Sequence, residues 1–243
     1  RGASEYISRS IVSKATATTT NLLRFGTALT GSSDGKTMSI FGSTKIVGAS
    51  SPMFFSLGKG DFYGFNIIVY STKVRIKGYN LSNTSILDLE TSATINTGDW
   101  VDFHICVDTT DSAKCKVYIR NSGTTTTTLV TNDTLYLSRT DGCAIGGFIE
   151  NSTTLGGQGD AEHSAIYYTQ DYIDFSQESN RNLFVNQLGY PRDLTPEIEA
   201  GNIPTPLVYM KFDDPSNLGI DSSGNNNHFT VNGTVTAGAD FTL

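Results

Sequence analysis

Short runs of alternating apolar and polar residues, separated by Gly, Asn and Asp, recur along the sequence and constrain its fold most. The clearest pair is "WVDFHICVDTTDSAKCKVYIRN" at 100–121, where two alternating runs flank a polar turn. Such runs predict half-buried strands joined by hairpins. Their density predicts an all-β fold, a β-sandwich or jelly roll of two antiparallel sheets, because no alternation of strands with helices is present.

Three segments depart from this strand pattern. At 176–188 the sequence offers Ser176 as an N-cap, an apolar spacing of four and a following Gly and Pro, which together predict one short capping helix. The connector "TPEIEAGNIPTP" at 195–206 holds three of the six prolines and is expected to be extended. The threonine run at 124–128 is expected to form a solvated loop at a hairpin tip.

The C-terminal part of the sequence reads "PLVYMKF", then a loop rich in Asp, Ser, Gly and Asn, then "HFTVNGTV". An apolar strand left unpaired would be an exposed edge, which proteins avoid. We therefore predict a single domain over 1–243, in which residues 207–243 add a C-terminal strand pair to the same sandwich. The alternative is that "PLVYMKF" begins a second module.

Charge and hydropathy exclude two classes of partner. The net charge is −7, with 17 Lys and Arg against 24 Asp and Glu, so a phosphate-binding surface for nucleic acid is not expected. No apolar run approaches the roughly 20 residues that span a bilayer, so no membrane partner is expected either.

The three cysteines, Cys106, Cys115 and Cys143, have no metal-ligand spacing. Cys106 and Cys115 lie on neighbouring strands of the predicted hairpin. Alternation places Cys106 opposite the apolar face of its strand, whereas Cys115 shares the apolar face of its own strand. The two thiols therefore point to opposite sides of the sheet, and we predict free, buried cysteines, as suits a reducing compartment.

The same hairpin resembles the "G-x-W-hydrophobic-H … L-Y-hydrophobic-x-G" hairpin of concanavalin A-like (LamG-like) lectin and glucanase jelly-roll domains. "CAIGG" and "GGQGDAEHSAIYYTQDYIDFSQESN" are similar to the strands that follow in that family, and the resemblance implies that Trp100 packs into the core. The stretch from "YIDFS" to "DSSGNNNHFTVNGTVTAG" resembles the variant found in virion structural proteins of tailed bacteriophages.

This resemblance implies a non-enzymatic virion structural protein, such as a capsid decoration, tail or fibre component. Its partners would be other virion proteins or copies of itself, and its location the virion, assembled in the host cytoplasm. The alternative is a carbohydrate-binding module or adhesin that binds cell-surface glycan, secreted if the phage interpretation is wrong. The third hypothesis is a polysaccharide-degrading enzyme.

Enzymatic activity is disfavoured because no catalytic constellation stands out. A glycosidase needs two carboxyl groups about 5–10 Å apart across a cleft. The candidate pairs are Asp88 with Glu90 on one strand and Glu197 with Glu199 in the connector, and both are expected to be solvated. We predict no catalytic residues.

Aromatic side chains are the candidates for binding a sugar. Sugar rings stack on exposed aromatic faces, and among the tyrosines near predicted loops or strand ends the candidate binding residues are Tyr79, Tyr167, Tyr168 and Tyr190. At each of these positions, a sheet-surface or subunit contact is the competing interpretation.

A calcium ion would take oxygen ligands from loops. Asp221 lies in "DSSGNNNH", while Asp160 and Glu162 lie in "GGQGDAE" and resemble the acidic position of the family's closing strand. These three acids are the candidate metal ligands, with calcium as the candidate cofactor. A turn held by Asx hydrogen bonds is the alternative for Asp221.

Overall fold

The computed structural model describes residues 11–13, 22–48, 53–58, 64–92, 94–119, 125–149, 155–156 and 159–238. The strands within them are β1 (Ile11–Ser13), β2 (Leu22–Phe25), β3 (Thr37–Ile46), β4 (Met53–Leu57), β5 (Phe65–Val69), β6 (Lys73–Tyr79), β7 (Ser85–Ser92), β8 (Trp100–Asp108), β9 (Lys116–Ile119), β10 (Thr125–Val130), β11 (Cys143–Ile145), β12 (Phe148–Ile149), β13 (Leu155–Gly156), β14 (Ala161–Thr169), β15 (Val208–Met210), β16 (Thr230–Asn232) and β17 (Thr236–Ala237). The helices are α1 (Glu178–Arg181) and α2 (Thr195–Glu199), with a 3-10 turn at Ser112–Lys114. None of these helices has the length and apolar character needed to cross a membrane.

The strands form two antiparallel sheets, which confirms the predicted fold class. The first sheet has the order β17-β1-β14-β3-β8-β9, with β15 also paired to β14, and the second has the order β10-β7-β6-β5-β4-β11-β2-β16. β12 and β13 form a small separate hairpin. The predicted hairpin at 100–121 is β8 and β9, paired from Phe103 with Ile119 to Cys106 with Lys116.

The main hydrophobic core lies between the two sheets. Its large side chains include Phe103 of the first sheet and Phe55 and Phe65 of the second, all with no exposed surface. The sheets approach so closely at Gly42 that an added Cβ would lie 2.3 Å from Cζ of Phe54. Glycine is therefore required at this point of β3.

A second hydrophobic core covers the outer face of the first sheet. The segment that follows β14 places Phe175 and Phe184 over Phe41, Tyr167 and His104. The ring centroids of Phe41 and Phe184 lie 5.2 Å apart. The first sheet is thus buried on both faces, unlike a sheet with one face in water.

The covering segment differs in detail from its prediction. α1 has four residues rather than the predicted span near 176–188, and its N-cap is Gln177. The Ser176 hydroxyl instead donates to Asp174 Oδ1. The connector predicted to be extended contains α2, which begins at Thr195 with Pro196 in its first turn, where a missing N–H costs nothing.

The expectation for the threonine run is also corrected. From Thr125 onward it is not a loop tip, because β10 pairs with β7 from Thr125 opposite Thr91 to Val130 opposite Leu87. The alternating run "TLYLSR" at 134–139 makes one isolated bridge, between Leu135 and Gly35, rather than a regular strand.

The C-terminal strands pair with three different partners. β15 pairs with β14, β16 with β2 and β17 with β1, so both sheets receive strands from this part of the chain. Residues 1–10, which include most of the run "EYISRSIV", and residues 239–243 lie outside the described residues. The single-domain organisation over 1–243 therefore stays a prediction.

The cysteines lie where alternation places them. Cys106 packs in the second core and Cys115 in the main core, on opposite faces of the first sheet. All three cysteines are free and buried, as predicted. Burial raises the pKa of the Cys115 thiol to about 11 and that of Cys143 well above its usual value.

Candidate functional site

A polar pocket opens at one end of the sandwich, where β3 begins, β14 ends and β15 begins. Its volume is about 360 Å³, which lies near the lower end of the range of small-molecule sites. We call it the rim pocket, and its lining residues are Gly31, Ser33, Gly35, Thr37, Thr169, Gln170, Asp171, Thr205 and Leu207.

One wall of the rim pocket is a loop clamped by an amide. The Oε1 atom of Gln170 accepts from the Ser33 backbone N–H at 3.0 Å, and Nε2 donates to the Ser33 carbonyl at 2.7 Å. The Thr37 hydroxyl donates to the Gln170 carbonyl at 2.8 Å. This pairing resembles a step of a β-ladder and fixes the loop before β3 against the end of β14, although the two residues are 137 positions apart.

Asp171 is the charged residue of this lining. Its backbone is fixed, because its carbonyl accepts from the Ser39 hydroxyl at 2.9 Å and its N–H donates to the Thr169 hydroxyl at 3.2 Å. Its side chain is exposed, and no Lys, Arg or His of the described residues forms an ion pair with it. Lys36 lies between two lining residues, but its ammonium donates to Asn132 Oδ1 at 2.8 Å.

The opposite wall depends on the C-terminal loop "DSSGNNNH". The buried Asp221 carboxylate accepts from the N–H groups of Tyr209, Ser223 and Asn227 at 2.9, 3.0 and 3.0 Å, and from the Ser223 hydroxyl at 2.6 Å. Four donors occupy the roughly four lone-pair positions of a carboxylate. Asp221 therefore organises the loop.

Asn227 links the C-terminal loop to the residues that line the pocket. Its side chain is fully buried, and Oδ1 accepts from the Thr30 N–H at 2.8 Å. Its Nδ2 donates to the Leu207 carbonyl at 2.9 Å and to the Thr30 carbonyl at 3.3 Å. One amide thus ties the loop before β3 to the start of β15 and supplies partners to buried backbone groups that would otherwise lack them.

Three of the four predicted tyrosine platforms are interior residues. Tyr167 and Tyr168 have no exposed surface and Tyr79 is 5% exposed, so their rings offer no face to a sugar. Desolvation accordingly raises the pKa of the Tyr167 and Tyr168 phenols. Tyr190 is half-buried in a turn where its N–H donates to Asn186 Oδ1. This corrects the expectation for Tyr79, Tyr167 and Tyr168.

The predicted metal ligands do not assemble a metal site. In the part of the chain that the structure describes, no three His, Cys, Asp or Glu side chains gather as they would around an ion. Glu162 pairs with Lys45 at 2.8 Å, and the Asp160 carbonyl accepts from the Val47 N–H at 2.8 Å. The bonds of Asp221 favour the Asx-turn interpretation over the calcium one.

Trp100 corrects another expectation. It is half-buried at the start of β8, not packed in the main core, and the Lys45 ammonium lies 5.3 Å from its ring centroid. Glu162, Lys45 and Trp100 are cross-strand neighbours on β14, β3 and β8. The Trp100 ring therefore lies beside the Lys45–Glu162 ion pair on the outer face of the first sheet.

Three of the four acids considered for catalysis are ion-paired. Arg75 binds Asp88 at 2.6 Å and Glu90 at 3.3 Å, and Arg192 lies 3.4 Å from Glu197. Among the described residues that line the rim pocket, Asp171 has the single carboxyl group. The lining therefore lacks the second carboxyl group that glycoside hydrolysis requires.

Sequence comparison finds no family model and no curated protein that match this chain. Comparison of structures does find similar folds. A native heptameric SAP-like pentraxin from Limulus polyphemus matches with a TM-score of 0.61 at 12% identity, over 98% of this chain and 97% of that one. A protein from Bacteroides ovatus ATCC 8483, described as a candidate carbohydrate-binding protein, matches with a TM-score of 0.63 at 8% identity, over 96% of this chain and 60% of that one.

At these identities the likeness concerns the fold alone. Both matches extend over nearly the whole of this chain, over 98% and 96% of its residues. The chain therefore has a concanavalin A-like, lectin-type jelly-roll fold, which confirms the fold that its sequence predicts.

Proposed function

We propose that this protein is a non-enzymatic, lectin-like domain that binds glycans in the rim pocket. The observation that carries the proposal is the exposed Asp171 carboxylate, which has no ion-pair partner among the described residues and lines a polar cavity of about 360 Å³. Sugars are recognised by carboxylates, amides and hydroxyls that accept from and donate to their hydroxyl groups. Such groups make up most of this lining.

The structural comparisons support the proposal at the level of the fold. One of the two similar structures is described as carbohydrate-binding, and the other is a pentraxin. Fold does not determine function, so the pocket itself has to supply the argument. The single carboxyl group in its lining favours binding over hydrolysis.

Among the described residues that line the rim pocket, none is aromatic, so none offers a ring on which a sugar could stack. Its affinity for one sugar unit would then come from hydrogen bonds that replace those with water, each worth about 0.5–1.5 kcal/mol net. We therefore expect weak monovalent binding that multivalent display strengthens. An array of immobilised glycans is the appropriate first assay.

The test compares two tryptophan variants on that array. Thr205→Trp places a large side chain at the mouth of the pocket, whereas Thr140→Trp places the same side chain at an exposed turn away from the pocket lining. We expect the wild-type protein and Thr140→Trp to bind the same glycans, and Thr205→Trp to lose them. Absence of any glycan bound by the wild-type protein would overturn the proposal, and so would equal binding by Thr205→Trp.

The place of this domain in a larger assembly is a finer proposal, supported only by the sequence resemblance to phage virion proteins. On that proposal the domain is displayed on a tailed-phage virion beside other virion proteins or copies of itself. The competing location is that of a secreted adhesin or carbohydrate-binding module. Sedimentation of the protein with assembled particles supports the first location, and its recovery only as free protein supports the second.

A further inference from the structure

The charge of the rim pocket is unbalanced. Asp171 is the acidic residue among its described lining residues, and Lys36, which lies between the lining residues Gly35 and Thr37, directs its ammonium to Asn132 instead. The chain as a whole carries a net charge of −7. A ligand that brings its own negative charge would therefore meet an uncompensated carboxylate, with no lining cation to offset the repulsion.

Some polar groups of the lining are already hydrogen-bonded within the protein, whereas others remain able to bind a ligand. Gln170 uses both ends of its amide on the backbone of Ser33, and the Thr37 hydroxyl donates to the Gln170 carbonyl. Among the described residues, the Asp171 carboxylate has one long hydrogen bond, which it accepts from the Thr169 hydroxyl at 3.4 Å. The exposed Thr205 hydroxyl makes no hydrogen bond with the described residues.

An ionised carboxylate accepts and never donates. With both oxygens available it can accept two hydroxyl groups on adjacent carbons of one sugar ring, in charge-assisted hydrogen bonds that are stronger than neutral ones. The Thr205 hydroxyl can then donate to or accept from a third group. A site that needs hydrogen-bond donors in this arrangement matches an uncharged sugar with two free hydroxyl groups on adjacent carbons.

The shape of the pocket limits how much of a glycan can enter. Its walls are held in place by the Gln170 clamp on one side and by the Asn227 amide on the other. A volume of about 360 Å³ is small for a ligand site and leaves room for about one sugar unit. The end of a glycan chain fits this arrangement better than its middle.

From these observations we infer that the rim pocket selects the uncharged terminal sugar of a glycan. Asp171 binds two adjacent hydroxyls and at the same time excludes acidic sugars. This inference rests on the proposed function and specifies the ligand of the same site. It assigns Asp171 as the residue that determines charge specificity.

The test measures binding of methyl glycosides by ligand-observed NMR titration at low ionic strength. The neutral probes are the methyl glycosides of galactose, glucose and mannose, and the acidic probes are those of glucuronic acid and N-acetylneuraminic acid. We expect the wild-type protein to bind at least one neutral probe about ten-fold more tightly than either acidic one.

The decisive variant is Asp171→Asn, which keeps the size of the side chain and removes its charge. We expect its affinity for the neutral probe to fall about ten-fold, while its affinity for the acidic probes stays equal or rises, so that the discrimination disappears. Asp213→Asn is the matched control, because this carboxylate is 60% exposed and lies outside the pocket lining. It should behave as the wild-type protein does.

The outcomes separate this inference from the proposed function. Glycan binding with equal or tighter binding of acidic probes, or with unchanged discrimination in Asp171→Asn, overturns the inference and leaves the proposed function standing. Preferential binding of internal chain segments over terminal sugars on the array overturns it too. A wild-type protein that binds no glycan at all overturns both.

Discussion

Replacing Asn227 by alanine tests whether the C-terminal loop builds the rim pocket. The substitution removes three hydrogen bonds at a fully buried site, those to the Thr30 N–H, the Thr30 carbonyl and the Leu207 carbonyl. Each typical bond contributes about 0.5–1.5 kcal/mol, and buried backbone groups left without partners cost more. We expect the free energy of unfolding to fall by about 2–4 kcal/mol.

The assay is urea denaturation followed by tryptophan fluorescence, with thermal unfolding as a second measurement. For a chain of this size the same loss lowers Tm by roughly 5–15 °C. Asn225→Ala is the matched control, because this neighbouring amide is only half-buried and its Nδ2 donates to the Pro206 carbonyl at 2.9 Å and to the Ser223 hydroxyl oxygen at 3.2 Å. We expect it to cost about 1 kcal/mol.

Equal effects of Asn227→Ala and Asn225→Ala would refute this reasoning, since they would show that the bridge made by Asn227 adds no more stability than the bonds of a half-buried amide within the loop. A stable Asn227→Ala protein that still binds glycans as the wild type does would refute the role of the bridge in the site. Loss of binding at temperatures where the variant is still folded is the expected result.

Three further predictions concern the two cores. Burial lowers the pKa of His163 to about 3, below the value of about 6.5 in an unfolded chain, so protons bind preferentially to the unfolded state as the pH falls from 6.5 towards 3. Denaturation at pH 7 and pH 4.5 should show about 2.5 kcal/mol of stability lost through this residue, and His163→Phe should abolish that part of the loss. Gly42→Val should destabilise by at least 1–3 kcal/mol in thermal unfolding because its side chain would meet the Phe54 ring, whereas Gly35→Ala, with nothing within 4 Å of the added Cβ, should leave Tm nearly unchanged. A thiol reagent should label none of the three cysteines in the native protein and all of them in denaturant, because each thiol is buried, and rapid labelling of the native state would contradict this.

Local alternation was sufficient to predict the β8–β9 hairpin and the positions of Cys106 and Cys115. The side-chain period of a strand is two, so the face of each residue follows from its neighbours in sequence. In the structure, Cys106 pairs with Lys116 across this hairpin. Fold class could be predicted for the same reason, since it depends on many such local patterns together.

The tyrosines of β14 show where local alternation fails. Neighbouring residues of a strand point to opposite faces, so Tyr167 and Tyr168 cannot both be buried if one face of the sheet is in water. Both are buried because residues 172–203 cover the outer face, and no local pattern in β14 indicates that cover. A bulge at Ala165, with φ of 49°, adds a register shift that propensity does not predict either.

The rim pocket could not be predicted from the sequence, because the residues that form its walls are distant in the chain. Gln170 meets Ser33 across 137 positions, and Asn227 meets Thr30 across 197. Ser, Thr and Gln in such loops look like ordinary surface residues until the walls are assembled. The usable signal was the concentration of Asp, Ser and Asn in "DSSGNNNH", which marks a loop whose side chains bond to backbone groups.

The same loop explains why Asp221 resembles a calcium ligand. A loop that binds a hard cation and a loop that anchors its neighbours both gather short side chains with carboxylate and amide oxygens. The difference lies in what those oxygens face, which the sequence does not record. Here Asp221 faces four hydrogen-bond donors, and two of these, the N–H groups of Asn227 and Tyr209, fix the loop and the start of β15. A cation at Asp221 would have to displace these donors and so loosen the wall that Asn227 supports, and the arrangement therefore favours a pocket built without metal over one that requires it.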